Sequence, residues 1–243
     1  MFEQSSYSEQ YTFFQKLRSF DFVLIFCVLC LGIISNFSMY STDGGEFLYH
    51  SKSHFIRFVT FFSMMIFLSF FNLRFWHSTA YLFYTITLGF LIWASMYGVT
   101  ASGSQRWINL YFINLQPSEL MKIAIIVCFA RYFHREQMSN INSFKNIILS
   151  MAILLLPILL VVSQPDLGTS ILIAISGVIV LWLAGFNIKY FIYSGLTLII
   201  SLPFVISMLK PYQKQRVLTF FNPDRDPLGA GYQIIQSKIA VGS

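Results

Sequence analysis

Seven apolar windows dominate the chain, at 22–40, 55–73, 79–97, 117–133, 147–162, 169–186 and 190–209. Each is close to the roughly 17 to 25 residues needed to cross a hydrocarbon layer as a helix. Lipid offers the backbone no hydrogen-bond partner, so a span has to be a helix or part of a closed barrel, and the alternating strands of about ten residues that a barrel requires are not visible. The expected fold is therefore all-α, a polytopic membrane helical bundle of about seven transmembrane helices. Charged residues make up 11% of the chain, against roughly 25% in soluble domains, which excludes a soluble enzyme. The chain divides into a polar N-terminal segment (1–20), a transmembrane helical domain (21–209) and the start of a large polar loop (210–243).

Residues 1–20 lack the small-residue cleavage pattern of a signal peptide, so the N-terminus is expected to be retained. Placing it in the cytoplasm puts Lys16, Arg18, Arg74, Arg131, Arg135, Lys145 and Lys189 inside and leaves Lys52 and Arg106 in the short outer loops, as the positive-inside bias demands. An odd number of spans then sends 210–243 to the outer face. That segment breaks the bias with Lys210, Lys214, Arg216, Arg225 and Lys238, and a basic surface beside the membrane points to an anionic ligand. The net charge of +6 is spread over loops, which argues against nucleic acid.

Three polar signatures interrupt the apolar chain. The first is Arg106-Trp107 followed by Gln116-Pro117-Ser118-Glu119 and Lys122. Pro117 suits the first position of a helix, Glu119 falls in the first turn where the helix dipole favours a carboxylate, and Lys122 three residues on shares its face and can pair with it. The second is Gln164-Pro165-Asp166-Leu167-Gly168-Thr169, where the proline ends one span and Asp166 precedes the next. The third, within 210–243, carries Asp226, Gly229, Gly231 and Tyr232 in a tight turn, followed by a short amphipathic helix over 232–241 suited to the membrane surface. Ionisable side chains at the mouths of spans are expensive without a task. Arg106, Glu119 and Asp166 are expected on the same outer side, with Lys122 a turn deeper, as a pocket for a phosphate- or sugar-bearing headgroup.

Other features carry less. Cys27, Cys30 and Cys128 lie inside apolar windows and suit packing, with no disulfide assigned. Glu46, His50 and His54 recur at helical spacing, but a wet interface accounts for them without a metal.

At the three signatures the chain resembles the SEDS proteins, the RodA and FtsW group of peptidoglycan glycosyltransferases, over about residues 20–243. Leu167 and the run Asp226-Pro227-Leu228-Gly229-Ala230-Gly231-Tyr232 resemble RodA, the cell-elongation member, more than FtsW, the division member. The resemblance implies a fold of about ten helices, of which this chain is expected to carry the first part, as a C-terminally truncated form. It implies a bacterial cytoplasmic (inner) membrane location and an inverting polymerisation of lipid II, with a class B penicillin-binding protein and the elongation complex as partners. The aspartate regarded as catalytic in the family matches no residue up to Ser243, so the catalytic residue is unknown here and the chain is expected to be an inactive fragment. Substrate-binding roles carry over to Arg106, Trp107, Glu119, Lys122, Gln164, Asp166, Thr169, Arg216 and Lys238, and loop-shaping roles to Asp226, Gly229, Gly231 and Tyr232. No organic cofactor or protein-held metal is implied; a divalent cation, Mg or Mn, placed by Asp166 is the one candidate. A lipid flippase or transporter is the alternative. It would need polar lining down to the cytoplasmic side, whereas the signatures cluster at the outer ends of the spans.

Overall fold

A computed structural model of the chain describes residues 13–101, 104–109, 114–134, 140–164, 166–208, 214–215, 218–219, 222–225, 227, 229 and 231–242. A short helix α1 (Phe13–Arg18) precedes seven long ones: α2 (Phe22–Thr42), α3 (Tyr49–Ser69), α4 (Leu73–Tyr97), α5 (Pro117–His134), α6 (Phe144–Ser163), α7 (Leu167–Leu183) and α8 (Ile188–Met208). A 3-10 turn (Pro223–Arg225) and α9 (Tyr232–Gly242) follow. The long helices overlie the seven apolar windows. Among the described residues, α2, α4 and α6 are long and apolar enough to cross a membrane, and the chain is a multi-pass membrane protein.

Local chemistry sets the helix starts. Asp21, Ser143 and Asp166 are the N-caps of α2, α6 and α7, each side chain accepting the backbone N–H three residues on. Pro117 opens α5, where its missing N–H is not needed. Inside the spans, hydroxyls such as those of Thr60, Thr85, Ser176 and Thr197 donate to carbonyls three or four residues earlier, so apolar helices carry them without orphaned polar groups.

Two units divide within α4, one up to Ile86 and the other from Thr87. In the first, α2 packs on α3. The bare Gly32 lies under the Phe58 ring, which a Cβ would overlap. His54 bridges the helices through Ser35 Oγ (3.0 Å) and Asn36 Oδ1 (3.3 Å). Gly44 and Gly45 take positive φ in the connecting turn. Residue 54 thus belongs to the helix pairing, and α3 starts at Tyr49, six residues earlier than its apolar window.

The second unit is built on α5, α6 and α7. Met121, Ile125, Phe129, Val161, Ile173 and Leu181 form its buried centre, held by close van der Waals fit, since lipid supplies little hydrophobic drive between helices. Gly177 of α7 makes that fit: a Cβ there would stand 2.4 Å from Leu154 Cδ1 and 3.4 Å from Phe129 Cε2. At the far end of α7, Gly185 (φ 97°) turns the chain so that the buried Phe186 meets Phe133 at 5.5 Å.

The helical bundle carries a short sheet. The stretch between α4 and α5, expected as an outer loop, contains a three-stranded antiparallel sheet of β1 (Val99–Ala101), β2 (Ser104–Asn109) and β3 (Asn114–Leu115) in that order. Val99 faces Trp107, Ile108 faces Leu115 and Asn109 faces Asn114, with an irregularity between Val99 and Thr100. Hydropathy windows are blind to strands this short.

Candidate functional site

The sheet carries Arg106 and Gln116 to the N-terminus of α7. Arg106 sits in β2, and Gln116 follows β3 directly, its carbonyl accepting the Glu119 N–H at 3.1 Å as α5 begins. Asp166 is 8% exposed and receives both side chains. Arg106 Nη1 donates to its Oδ2 at 2.9 Å, and Gln116 Nε2 donates to the same oxygen at 3.2 Å. The other oxygen, Oδ1, accepts the Thr169 N–H at 3.3 Å as the cap of α7. One carboxylate thus ties together the sheet, the start of α5 and the start of α7.

The charge balance follows from that geometry. Around Asp166 the two helix N-termini present partial positive charge and Arg106 a full one, while Glu119 in the first turn of α5 is offset by Lys122. Nε of Arg106 is buried with no partner among the described residues, as is Oγ of Ser118 in the first turn of α5. Orphaned buried polar groups call for an oxygen or donor from water or ligand. A guanidinium fixed through one nitrogen keeps further N–H groups for an anion, where charge-assisted bonds are strongest.

Glu119 and Lys122 make the expected pair on α5, Nζ to Oε2 at 2.8 Å. Their exposure differs: the Lys122 side chain is mostly covered, while Glu119 is largely open. Trp107 lies half-buried in β2. Gln164 turns inward: buried at the C-cap of α6, its Nε2 donates to the Leu91 carbonyl of α4 at 2.9 Å. It braces helices here, and this contact faces protein.

Gly229 and Gly231 shape the approach to α9, their carbonyls accepting the N–H groups of Tyr232 and Ile235. Helix α9 covers Tyr232–Gly242, matching the expected amphipathic segment, with Lys238 exposed on it. Arg216 and Asp226 lie outside the described residues. Of the sequence candidates, then, the structure gathers Arg106, Asp166 and Thr169 into one cluster and pairs Glu119 with Lys122 beside it. Gln116 is the member of this cluster that single-site reasoning left out. Its only signal was its place in the first signature, because its partner is 50 positions away.

A divalent cation fits this donor set poorly. Arg106 and Gln116 aim N–H groups at one oxygen of Asp166 and Thr169 aims one at the other, while Glu119 is paired with Lys122. An ion at Asp166 would face positive hydrogens.

Comparison with known proteins gives a consistent picture. The chain is 40% identical over 164 residues to the peptidoglycan glycosyltransferase MrdB of Escherichia coli, a match covering 66% of this chain and 43% of that protein. It is 35% identical over 205 residues to the probable peptidoglycan glycosyltransferase FtsW of Buchnera aphidicola, covering 82% of this chain and 57% of that one. A solved structure described as the coordination of polymerization and crosslinking by a peptidoglycan synthase complex superimposes with a TM-score of 0.77 at 26% identity, covering 93% of this chain and 66% of that one. RodA of Thermus thermophilus shares the fold, with a TM-score of 0.64 at 20% identity over 75% of this chain and 59% of that one. The chain thus spans about half the length of these two curated relatives. The family model described as "Cell cycle protein", that of FtsW, RodA and SpoVE, matches residues 16–243, and with the arrangement of helices above it establishes that this chain belongs to that family.

Proposed function

We propose that this chain forms the headgroup-binding part of a peptidoglycan glycosyltransferase that polymerises lipid II at the outer face of the bacterial inner membrane. The observation that carries this is the Arg106–Gln116–Asp166 cluster at the joined N-termini of α5 and α7. In the reaction, a sugar hydroxyl attacks the anomeric carbon of a second lipid-linked disaccharide, the C–O bond to the diphosphate breaks with inversion, and undecaprenyl diphosphate leaves. Charge builds on the departing diphosphate, so fixed cations lower the barrier. Arg106 supplies one, oriented by Asp166. Lys122, held by Glu119, supplies a second, and Arg216 and Lys238 are further candidates on the polar loop. Trp107 offers an amphipathic face to lipid or sugar. A diphosphate is a good leaving group that needs no general acid, and the hydroxyl proton requires a carboxylate base. Asp166 is already committed as acceptor to three N–H groups, so that base is a different residue. No metal enters this scheme.

An elongation role beside a class B penicillin-binding protein is the finer reading. Its support is the Asp226 to Tyr232 run, whose residues resemble RodA. Identity to FtsW proteins at 35% leaves a division role as the competitor. The test is lipid II polymerisation in lipid nanodiscs, with and without such a partner, by the protein extended past Ser243 to the length of its relatives, with glycan strands resolved on gels. Strand synthesis abolished by Arg106→Ala supports the proposal; strands at wild-type rate from that variant refute it. Transbilayer movement of labelled lipid II without strand synthesis would instead indicate a flippase.

A further inference from the structure

We propose that Gln116 is a positioning residue: its side-chain amide locks Asp166 against Arg106, so that the guanidinium is held ready for an anionic lipid headgroup. This rests on the proposed function for the identity of the headgroup, a lipid-linked diphosphate. The lock itself stands on geometry alone.

Gln116 is well anchored for such a role. Its backbone is fixed by the Glu119 N–H on its carbonyl and by Pro117, the buried first residue of α5. Its Nε2 reaches Asp166 Oδ2 at 3.2 Å, the same oxygen that Arg106 Nη1 reaches at 2.9 Å. The opposite amide orientation would set two acceptor oxygens against each other, so the network assigns the NH2 group to this contact. Asp166 Oδ1 is tied to α7 through the Thr169 N–H. Without Gln116, the carboxylate keeps its cap but loses the link to α5, and Arg106 loses a fixed acceptor.

The residue type matters as much as its place. A glutamate at 116 would face Asp166 carboxylate to carboxylate, and such pairs share a proton because two like charges this close cannot both ionise cheaply. The other charged groups on this part of α5 are Glu119 and Lys122, which pair with each other. A neutral donor therefore leaves a single negative charge facing Arg106, and an acid would leave a surplus one.

Binding of undecaprenyl diphosphate to the protein in nanodiscs, measured from about pH 7 to about pH 5, tests the inference together with carboxyl infrared spectra taken without ligand. Gln116→Leu should weaken binding about tenfold, as expected for a lost hydrogen bond to a charged group. Gln116→Glu should weaken it at neutral pH and regain affinity on acidification relative to wild type. The same variant should gain, between about pH 7 and about pH 5, a protonated-carboxyl band that wild type lacks. The exchanged pair Gln116→Glu with Asp166→Asn restores one amide and one carboxylate, so it should lose that band and bind within a few-fold of wild type. Wild-type-like binding by both single variants overturns the inference, as does an exchanged pair no better than Gln116→Glu alone. If wild type itself binds no diphosphate lipid, the proposed function fails, and the infrared band decides the lock: its absence from Gln116→Glu between about pH 7 and about pH 5 overturns it, and its presence there with loss in the exchanged pair upholds it.

Discussion

Arg106 Nη1 donates to Asp166 Oδ2 at 2.9 Å across 60 positions of sequence, joining the sheet after α4 to the first turn of α7. The two halves of this pair do different work, and substitutions separate them. Asp166→Asn keeps an oxygen to cap α7 and removes the counter-charge; Asp166→Ala removes both. The alanine variant should lose about 2–4 kcal/mol of stability and the asparagine about 1 kcal/mol less, the size of a lost N-cap. Unfolding in detergent, followed by near-UV circular dichroism, measures the gap between them.

The Glu119–Lys122 pair is expected to matter little for folding. It is an i,i+3 pair with an open carboxylate, so Lys122→Ala should shift stability by less than about 0.5 kcal/mol. If Lys122 faces the leaving diphosphate, the same variant should weaken binding of undecaprenyl diphosphate severalfold. Unfolding and nanodisc binding run side by side on this variant distinguish a helix staple from a ligand contact.

Close packing in the second unit makes Gly177 intolerant of bulk. Gly177→Leu should cost about 2 kcal/mol or more, because the new side chain would enter space held by Leu154 and Phe129. Gly177→Ala should cost less, since the Leu154 methyl it meets belongs to a side chain that can rotate. Gly195 of α8 has nothing within 4 Å of a built Cβ, so Gly195→Ala should leave stability unchanged or raise it. Thermal unfolding of the three variants checks the order.

At the α2–α3 turn, the Ser51 hydroxyl and backbone N–H donate to the Asp43 carboxylate and hold its pKa below the usual 3.8, the hydroxyl contributing most. A folded value below the unfolded one stabilises the turn fully above about pH 3.8, and the effect fades as pH falls through the folded value. Hydrogen-exchange protection of the Ser51 amide should therefore drop on acidification below that point. Asp43→Asn should abolish that pH dependence.

The helices were legible from the sequence because apolar length is a strong signal. The window over 117–133 and the observed α5 (Pro117–His134) differ by one residue, since Pro117 and Glu119 mark the start unambiguously. The start of α3 was not legible. Its first turns carry His50, Ser51, Lys52 and His54, which lower hydropathy, yet Ser51 is buried on Asp43 and His54 bonds across to α2. The sheet at 99–115 was missed because its longest strand is six residues, although Ser102-Gly103 is a turn signal and Trp107-Ile108 favours strands. Asp166 and Arg106 stood out singly as charges next to apolar runs. Their union with Gln116 depends on three chain segments meeting, which periodicity does not encode.

The central claim is that the guanidinium of Arg106, held by Asp166, grips a lipid-linked diphosphate. Binding of undecaprenyl diphosphate to nanodisc-embedded protein, compared among wild type, Arg106→Lys and Arg106→Ala, tests it most directly. The account predicts binding by wild type, about tenfold or greater weakening in Arg106→Ala, and only partial rescue by lysine, which keeps the charge without the planar fork. Equal affinity of all three proteins for the diphosphate lipid would contradict it.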